Sequence, residues 1–461
     1  MRHLRRHLIP ALGLTVSLAA VPATTGVMAP SASASRVSHA TSATQLTYLG
    51  YDSSPGTNAW VRGQIKIFET SHPGVTITVQ YTTPTYIIEK IKTAVAAGEA
   101  PDIAQTLPGS AQNELFTAGK ILNLTSYIDN DKQWLSWTSG WNVIPNTQYK
   151  VGNQIAADNV SIAPMYIWYY PSDLAKVGWT SFPTTIDGSR GLIALAAALK
   201  KSGIPTMALG LNSQSLFNYD YTFWTLEANF DPGGVKGQLA DDGQYPWTSP
   251  IFVKAATLFK QLYQDGVFYP TALERSYEPD SETDFGDGKA SMAWPFGTWL
   301  DTFYPAKLYS KMSAALFPSL NSTTPRVLTA SNGLAYIVPI VTNAQKNPEH
   351  IRLVLAFLKQ LNSPQSEQSI WRVGEQPDIS SDGTGATQGP AQLLKLQVEL
   401  ASSSFSHYKY AIDENTYSPA TGSALDNGLE AVLSGSLTVT ALLKQVAVAN
   451  REDFACSPHC K

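Results

Sequence analysis

The chain has 461 residues, a formal net charge of −4 and only 15% charged residues. It contains no basic block, which excludes a phosphate-backbone partner, because such binding relies on clustered Lys and Arg. Aromatic residues are plentiful beside so few charges, with 11 Trp and 21 Tyr. They fit either a large core or a cleft whose rings stack on flat apolar ligand faces, an arrangement that suits sugars.

The N-terminus reads as an export signal. Arg2, Arg5 and Arg6 precede a mostly apolar stretch over residues 8–27, and Ala32-Ser33-Ala34 supplies a small-residue cleavage pattern. Cleavage is expected after Ala34, leaving a Ser, Thr, Ala and His rich leader over residues 35–44. The Arg5-Arg6 pair also matches a twin-arginine signal loosely. No Cys stands near the cleavage site, so no lipid anchor is expected there, and the mature protein is expected to sit free in a periplasm or to be released. No later stretch offers the roughly 18 uncharged apolar residues needed to cross a bilayer, so direct membrane insertion is not expected. The remaining length suffices for two lobes.

After the leader, strands and helices alternate. Gln45–Gly50 is a short strand. Asn58 can cap a helix with Val61, Ile65 and Phe68 on one face, ending at Pro73-Gly74. Val75–Tyr81 alternates with period two and is a strand. Thr85–Ala97 is a helix stopped by Gly98, and Pro101–Gln105 begins the next strand. This order implies a parallel α/β sheet with ligands favoured at the carboxyl ends of its strands, at the loops 51–57 and 105–110.

Further on, Phe285-Gly286-Asp287-Gly288-Lys289-Ala290-Ser291-Met292-Ala293-Trp294 runs from a Gly-rich turn into an apolar strand, followed by Gly297 and Trp299. This resembles the "F-x-x-G-K-A-A-M … G-x-W" signature of extracytoplasmic solute-binding proteins of sugar ABC transporters, the family 1, maltose-binding-protein-like group. Ala97–Ile103 looks like that family's "A-x-G-x-x-P-D-I", Gly119–Leu124 like "G-x-L-x-x-L", and Ala163–Tyr170 with Gly178 and Pro183-Thr184-Thr185 like its hinge-strand segment. Gly233-Gly234 with Trp247 and Ser249, Asn347-Pro348-Glu349 before a helix, and Leu433–Thr438 with Ala441-Leu442 complete the order. Two departures stand out. Pro171 replaces the usual Asn and removes a backbone donor, and the stretch from Pro164 to Tyr169 is short.

The resemblance implies a two-lobed α/β periplasmic-binding-protein fold of type II with three hinge crossings. Lobe one is expected to hold residues 45–160 and 295–335, and lobe two residues 161–294 and 336–450, with 451–461 as a tail. The segment around Trp294 would carry the chain across the hinge. A monomer is expected to bind a neutral mono- or oligosaccharide in the cleft, close on it, and deliver it to a membrane permease. No cofactor is expected. Ligand contacts are expected from Tyr51, Asp52 and Gln105 near the first and third strands, Tyr166 and Trp168 on the hinge strand, and Trp224 in the second lobe. Trp294 and Trp299 would follow the second crossing, Asn332 would precede the Gly of the third, and Trp371 and Glu375 would lie by a late turn. For each Trp, packing in a core is the competing reading.

Motifs for other chemistry are missing from the sequence. It has no H-E-x-x-H helix, no G-x-S-x-G elbow and no G-x-x-x-x-G-K-[ST] loop, so it is not the transporter's ATPase. Asp280–Asp284 has the early acidic spacing of an EF-hand loop, but Phe285 and Ser291 stand where Gly and Glu are required. Acidic pairs such as Asp241-Asp242 leave a secreted carbohydrate-active enzyme as the alternative. The two cysteines, Cys456 and Cys460, are expected to form a local disulfide outside the cell.

Overall fold

The alternation at the start of the chain folds as its periodicity dictates. The computed structural model describes residues 44–51, 55–83, 86–106, 110–138, 150–151, 153–231, 246–297, 306–324, 326–370, 376–377, 394–396, 409–411 and 419–456. Strand β1 (Thr44–Tyr51) is followed by a helix over Pro55–Ser71, strand β2 (Val75–Thr82), a helix over Ile87–Ala97 and strand β3 (Ile103–Thr106). β2 and β3 lie on either side of β1, both parallel to it. Val61, Ile65 and Phe68 are buried under this sheet, and full burial of such side chains stabilises by roughly 1.5–3 kcal/mol each. The second helix stops at Gly98, whose left-handed φ of 74° lets its N–H reach back to the last turn.

Two strands from far along the chain complete this sheet. After a hairpin of β4 (Lys150–Val151) and β5 (Gln154–Ile155) comes β6 (Asp158–Asn159). The sheet order is β2-β1-β3-β13-β6, where β13 (Ala335–Ile337) runs antiparallel to both its neighbours. The helix over Pro348–Leu361 packs against the same core, and its Asn347 cap accepts from the N–H groups of Glu349 and His350.

A second core gathers around β8 (Tyr166–Tyr169), β9 (Met207–Ala208), β10 (Met292–Phe296) and β11 (Ser313–Ala315), in the order β11-β8-β10-β9. The Phe217–Phe230 helix runs through it, buried on almost every side. A third sheet, in the order β14-β7-β12-β15, uses β7 (Ser161–Pro164), β12 (Val327–Asn332), β14 (Gln376–Pro377) and β15 (Lys409–Ala411).

This third sheet holds the crossings. Val160 belongs to the first core and Ile162 to the second; Ala330 belongs to the second and Leu334 to the first. Ile370 packs in the first core and Leu396 in the second, with β14 between them in sequence. Ile162 is flanked by Asn332 on one side and Gln376 on the other, so the three crossing segments lie side by side. Cross-hinge hydrogen bonds tie them: Val160 N–H to Leu334 O at 2.8 Å, Gly333 N–H to Ser161 O at 2.9 Å, and Leu334 N–H to Ser161 Oγ at 2.8 Å.

The expected lobe boundaries need correction. Met312 to Ala330 pack in the second core, not the first, and Tyr336 to Ile370 pack in the first, not the second. The strand carrying Trp294 does not cross the hinge either. β10 pairs with β8 and β9 inside the second core, and among the described residues after it Leu334 is where the chain is back in the first core. Among the described residues no helix is long and apolar enough to cross a membrane.

Candidate functional site

The carboxyl ends of β1 and β3 bring Tyr51 and Gln105 together, as their strand positions led one to expect. Gln105 is 1% exposed, and its Oε1 accepts from the Tyr51 backbone N–H at 3.3 Å and the Tyr48 hydroxyl at 3.4 Å. Its Nε2 has no hydrogen-bond partner. A buried amide donor left unpaired costs free energy, which an incoming acceptor recovers. Gly50 makes the arrangement possible: a Cβ there would lie 2.8 Å from the Tyr48 ring and 3.0 Å from Gln105 Oε1.

Around them lies a group of phenols. The Tyr48 ring is 6.4 Å from Tyr81 and 5.9 Å from Tyr336. Burial pushes the hydroxyls of Tyr48 and Tyr336 well above the ordinary phenol range, so both stay neutral. The Arg62 guanidinium lies 5.3 Å from the Tyr81 ring centre. Tyr51 reaches in the other direction, and its hydroxyl donates to Gly333 O at 2.9 Å, at a crossing. The result is a cluster of neutral donors, acceptors and ring faces joined to the hinge, with the Arg62 cation at its Tyr81 edge, an arrangement that can take neutral hydroxyl-bearing groups.

On the second core, β9 and β10 run parallel, and β8 runs antiparallel to β10 with Tyr166 opposite Phe296. Tyr166 therefore stands at the same edge as the carboxyl ends of β9 and β10, next to the crossing strand. Beyond β9 the backbone of Gly210 lies against that of Ser276, and Tyr277 N–H donates to Ser215 Oγ at 2.7 Å. Here Phe217 meets Tyr277 edge-to-face at 5.3 Å and Tyr221 at 6.1 Å. Sequence analysis did not single out these three aromatics; Phe217 and Tyr221 lie on the helix over Phe217–Phe230, which is buried on almost every side.

Three of the expected ligand contacts are core residues. Trp168, Trp224 and Trp294 are at most 1% exposed. Trp224 packs against Phe223, Trp247 and Phe252. Trp294 donates from Nε1 to Thr222 Oγ1 at 3.2 Å and meets the Phe317 ring edge-on at 4.8 Å. The apolar contacts of Trp224 and Trp294 favour the core reading for these two, whereas the buried Trp168 leaves its Nε1 without a hydrogen-bond partner. Asn332 ends β12 opposite Ile162, at the crossing. Asp52, Trp299, Trp371 and Glu375 lie outside the described residues, as does Cys460 and hence the expected disulfide with Cys456. No group of three or more His, Cys, Asp or Glu that could hold a metal occurs among the described residues.

Residues 63–374 match the family described as bacterial extracellular solute-binding protein. Among curated protein sequences nothing matches the chain. Solved structures do. One described as a chitin oligosaccharide binding protein has a TM-score of 0.73 at 19% identity, covering 90% of this chain and 99% of that one. Maltose-bound MalE3 of T. maritima has a TM-score of 0.67 at 16% identity, covering 89% and 100%. The cyclic alpha-maltosyl-1,6-maltose binding protein of Arthrobacter globiformis also has a TM-score of 0.67, at 17% identity, covering 89% and 98%. At these identities the likeness shows the fold, a two-lobed α/β architecture.

Proposed function

Because this chain belongs to the bacterial extracellular solute-binding family, we propose that it captures a neutral carbohydrate between its lobes and delivers it to an ABC permease for import. The observation that carries the carbohydrate reading is the buried Gln105 amide, with its unpaired Nε2, set among neutral phenols at the strand ends. Sugar hydroxyls both donate and accept, and pyranose faces pack on aromatic rings. An anionic solute would call instead for a convergent Arg and Lys cluster. The saccharides named for the structural neighbours support the same class.

The protein acts by binding alone. The three side-by-side crossings form the hinge, and contacts made by both lobes favour a closed form over the open one. Only the closed form docks productively on the permease. The chain works as a monomer outside the cytoplasm, after loss of its N-terminal signal.

A thermal-shift screen of purified protein against neutral mono- and oligosaccharides, sugar phosphates and amino acids tests this reading. A neutral saccharide is expected to raise the melting temperature. A rise with a charged solute alone would contradict it.

A further inference from the structure

Gln105 and Tyr48 stand on neighbouring strands, and the register brings them together. In the β1–β3 pairing Tyr48 faces Ile103 and Leu49 faces Ala104, so the next step sets Gly50 beside Gln105. Side chains two residues apart on a strand share a face, which puts Tyr48 on the face where Gly50 has no side chain. β13 sets Tyr336 directly opposite Gln105, and β2 sets Tyr81 opposite Gly50. The row across the sheet therefore reads Tyr81, Gly50, Gln105, Tyr336, with one side chain missing. Tyr48 occupies that gap: a Cβ on Gly50 would lie 2.8 Å from its Cε1, 3.1 Å from its hydroxyl oxygen and 3.0 Å from Gln105 Oε1. The rings of Tyr81 and Tyr336, at 6.4 and 5.9 Å, flank it there.

This seating decides which end of the amide is presented. The Tyr51 backbone N–H can only donate, so the Gln105 atom 3.3 Å from it is the oxygen. The Tyr48 hydroxyl is a second donor to that oxygen, at 3.4 Å, and burial keeps its proton in place by raising it above the ordinary phenol range. With two donors on Oε1 the amide cannot turn over without setting its own N–H against theirs. Nε2 is left facing away from them, without a partner. Donation to the oxygen also polarises the amide and strengthens the N–H groups at its other end.

Resting on the carbohydrate reading above, we propose that Tyr48 is a positioning residue: its hydroxyl holds the Gln105 amide so that Nε2 is offered to a saccharide oxygen, and its effect on binding passes through Gln105.

Calorimetry of wild type and Tyr48→Phe with maltotriose, cellotriose and triacetylchitotriose tests this. The side-chain amide resonance of Gln105 in nitrogen–proton NMR spectra, identified by its absence from Gln105→Leu, is followed in parallel. Tyr48→Phe keeps the ring, so a change in that resonance reports the lost hydroxyl rather than altered packing. In Tyr48→Phe the Gln105 amide protons are expected to move to higher field. Saccharide binding should weaken about three- to tenfold, the effect of one neutral hydrogen bond, with a melting temperature near wild type. A Gln105 resonance that Tyr48→Phe leaves in place, or undiminished binding by Tyr48→Phe, would overturn the positioning role while leaving carbohydrate binding intact. Wild type that binds none of these saccharides would overturn the carbohydrate reading itself, whether or not the resonance moves.

Discussion

The Tyr51 hydroxyl donates to the carbonyl of Gly333 at 2.9 Å, joining the last residue of the first strand to the point where the chain re-enters the first core. One backbone position later, Leu334 bonds Val160 and Ser161 across the hinge. Tyr51 also donates its backbone N–H to Gln105, so one residue touches both the candidate ligand group and the hinge.

Tyr51→Phe keeps the ring and removes this bond, leaving a buried carbonyl without its donor. A loss of about 1–2 kcal/mol of stability is expected, read as a lower urea midpoint with an unchanged slope. A midpoint equal to wild type would mean that water or another donor serves Gly333 equally well.

Asp158 gives a pH prediction. It lies fully buried in β6, two residues before the first crossing, and both its oxygens accept from Asn362 Nδ2, at 2.9 and 2.8 Å. Burial raises its carboxyl well above the ordinary value of 3.8, against the opposing pull of the Asn362 bond. The folded state therefore holds its proton more tightly than the unfolded one. The stability this contributes is present below about 3.8 and is lost as pH rises towards the raised folded value. Asp158→Asn should melt higher than wild type at pH 7, with the gap closing as pH falls towards 4. A gap that stays constant with pH would contradict the assignment.

Trp294→Ala should remove a fully buried ring and its bond to Thr222. The expected cost is about 3–5 kcal/mol, as for other large-to-small core changes, seen in thermal melting. The folded fraction should still bind saccharide. Wild-type stability with lost binding would restore the ligand role to this residue.

Much of the first lobe was legible because its signals are local. The period-two run Val75–Tyr81, the apolar face of Val61, Ile65 and Phe68, and Gly98 as a stop each act within a few residues. The position of a side chain at a strand's carboxyl end is equally local, so the meeting of Tyr51 and Gln105 was legible. The crossing at Gly333 was expected too, but its direction, from the second core to the first, was not. It depends on β12 pairing with β7, which lies far away in sequence, and an apolar strand such as β10 reads the same whether it crosses a hinge or stays within one core. The tryptophans were ambiguous for a related reason. Indole suits a stacking platform and a packed core alike, and only the neighbours of Trp224 and Trp294 decide between them. The helix over Phe217–Phe230 buries Asp220 and Glu227 along with its rings, which erases the amphipathic pattern that would have revealed its placement.

Gln105 offers the most direct measurement of the central claim. Titration calorimetry should compare wild type and Gln105→Leu against the saccharide that gives the largest melting shift. Leu matches the side chain roughly in volume and removes the amide that waits unpaired in the site. We expect one saccharide bound per wild-type chain, and binding weakened by at least tenfold in Gln105→Leu, with a melting temperature somewhat below wild type because the Tyr51 N–H and the Tyr48 hydroxyl lose their acceptor. Undiminished binding by Gln105→Leu, or no heat from any neutral saccharide with wild type, would contradict the account.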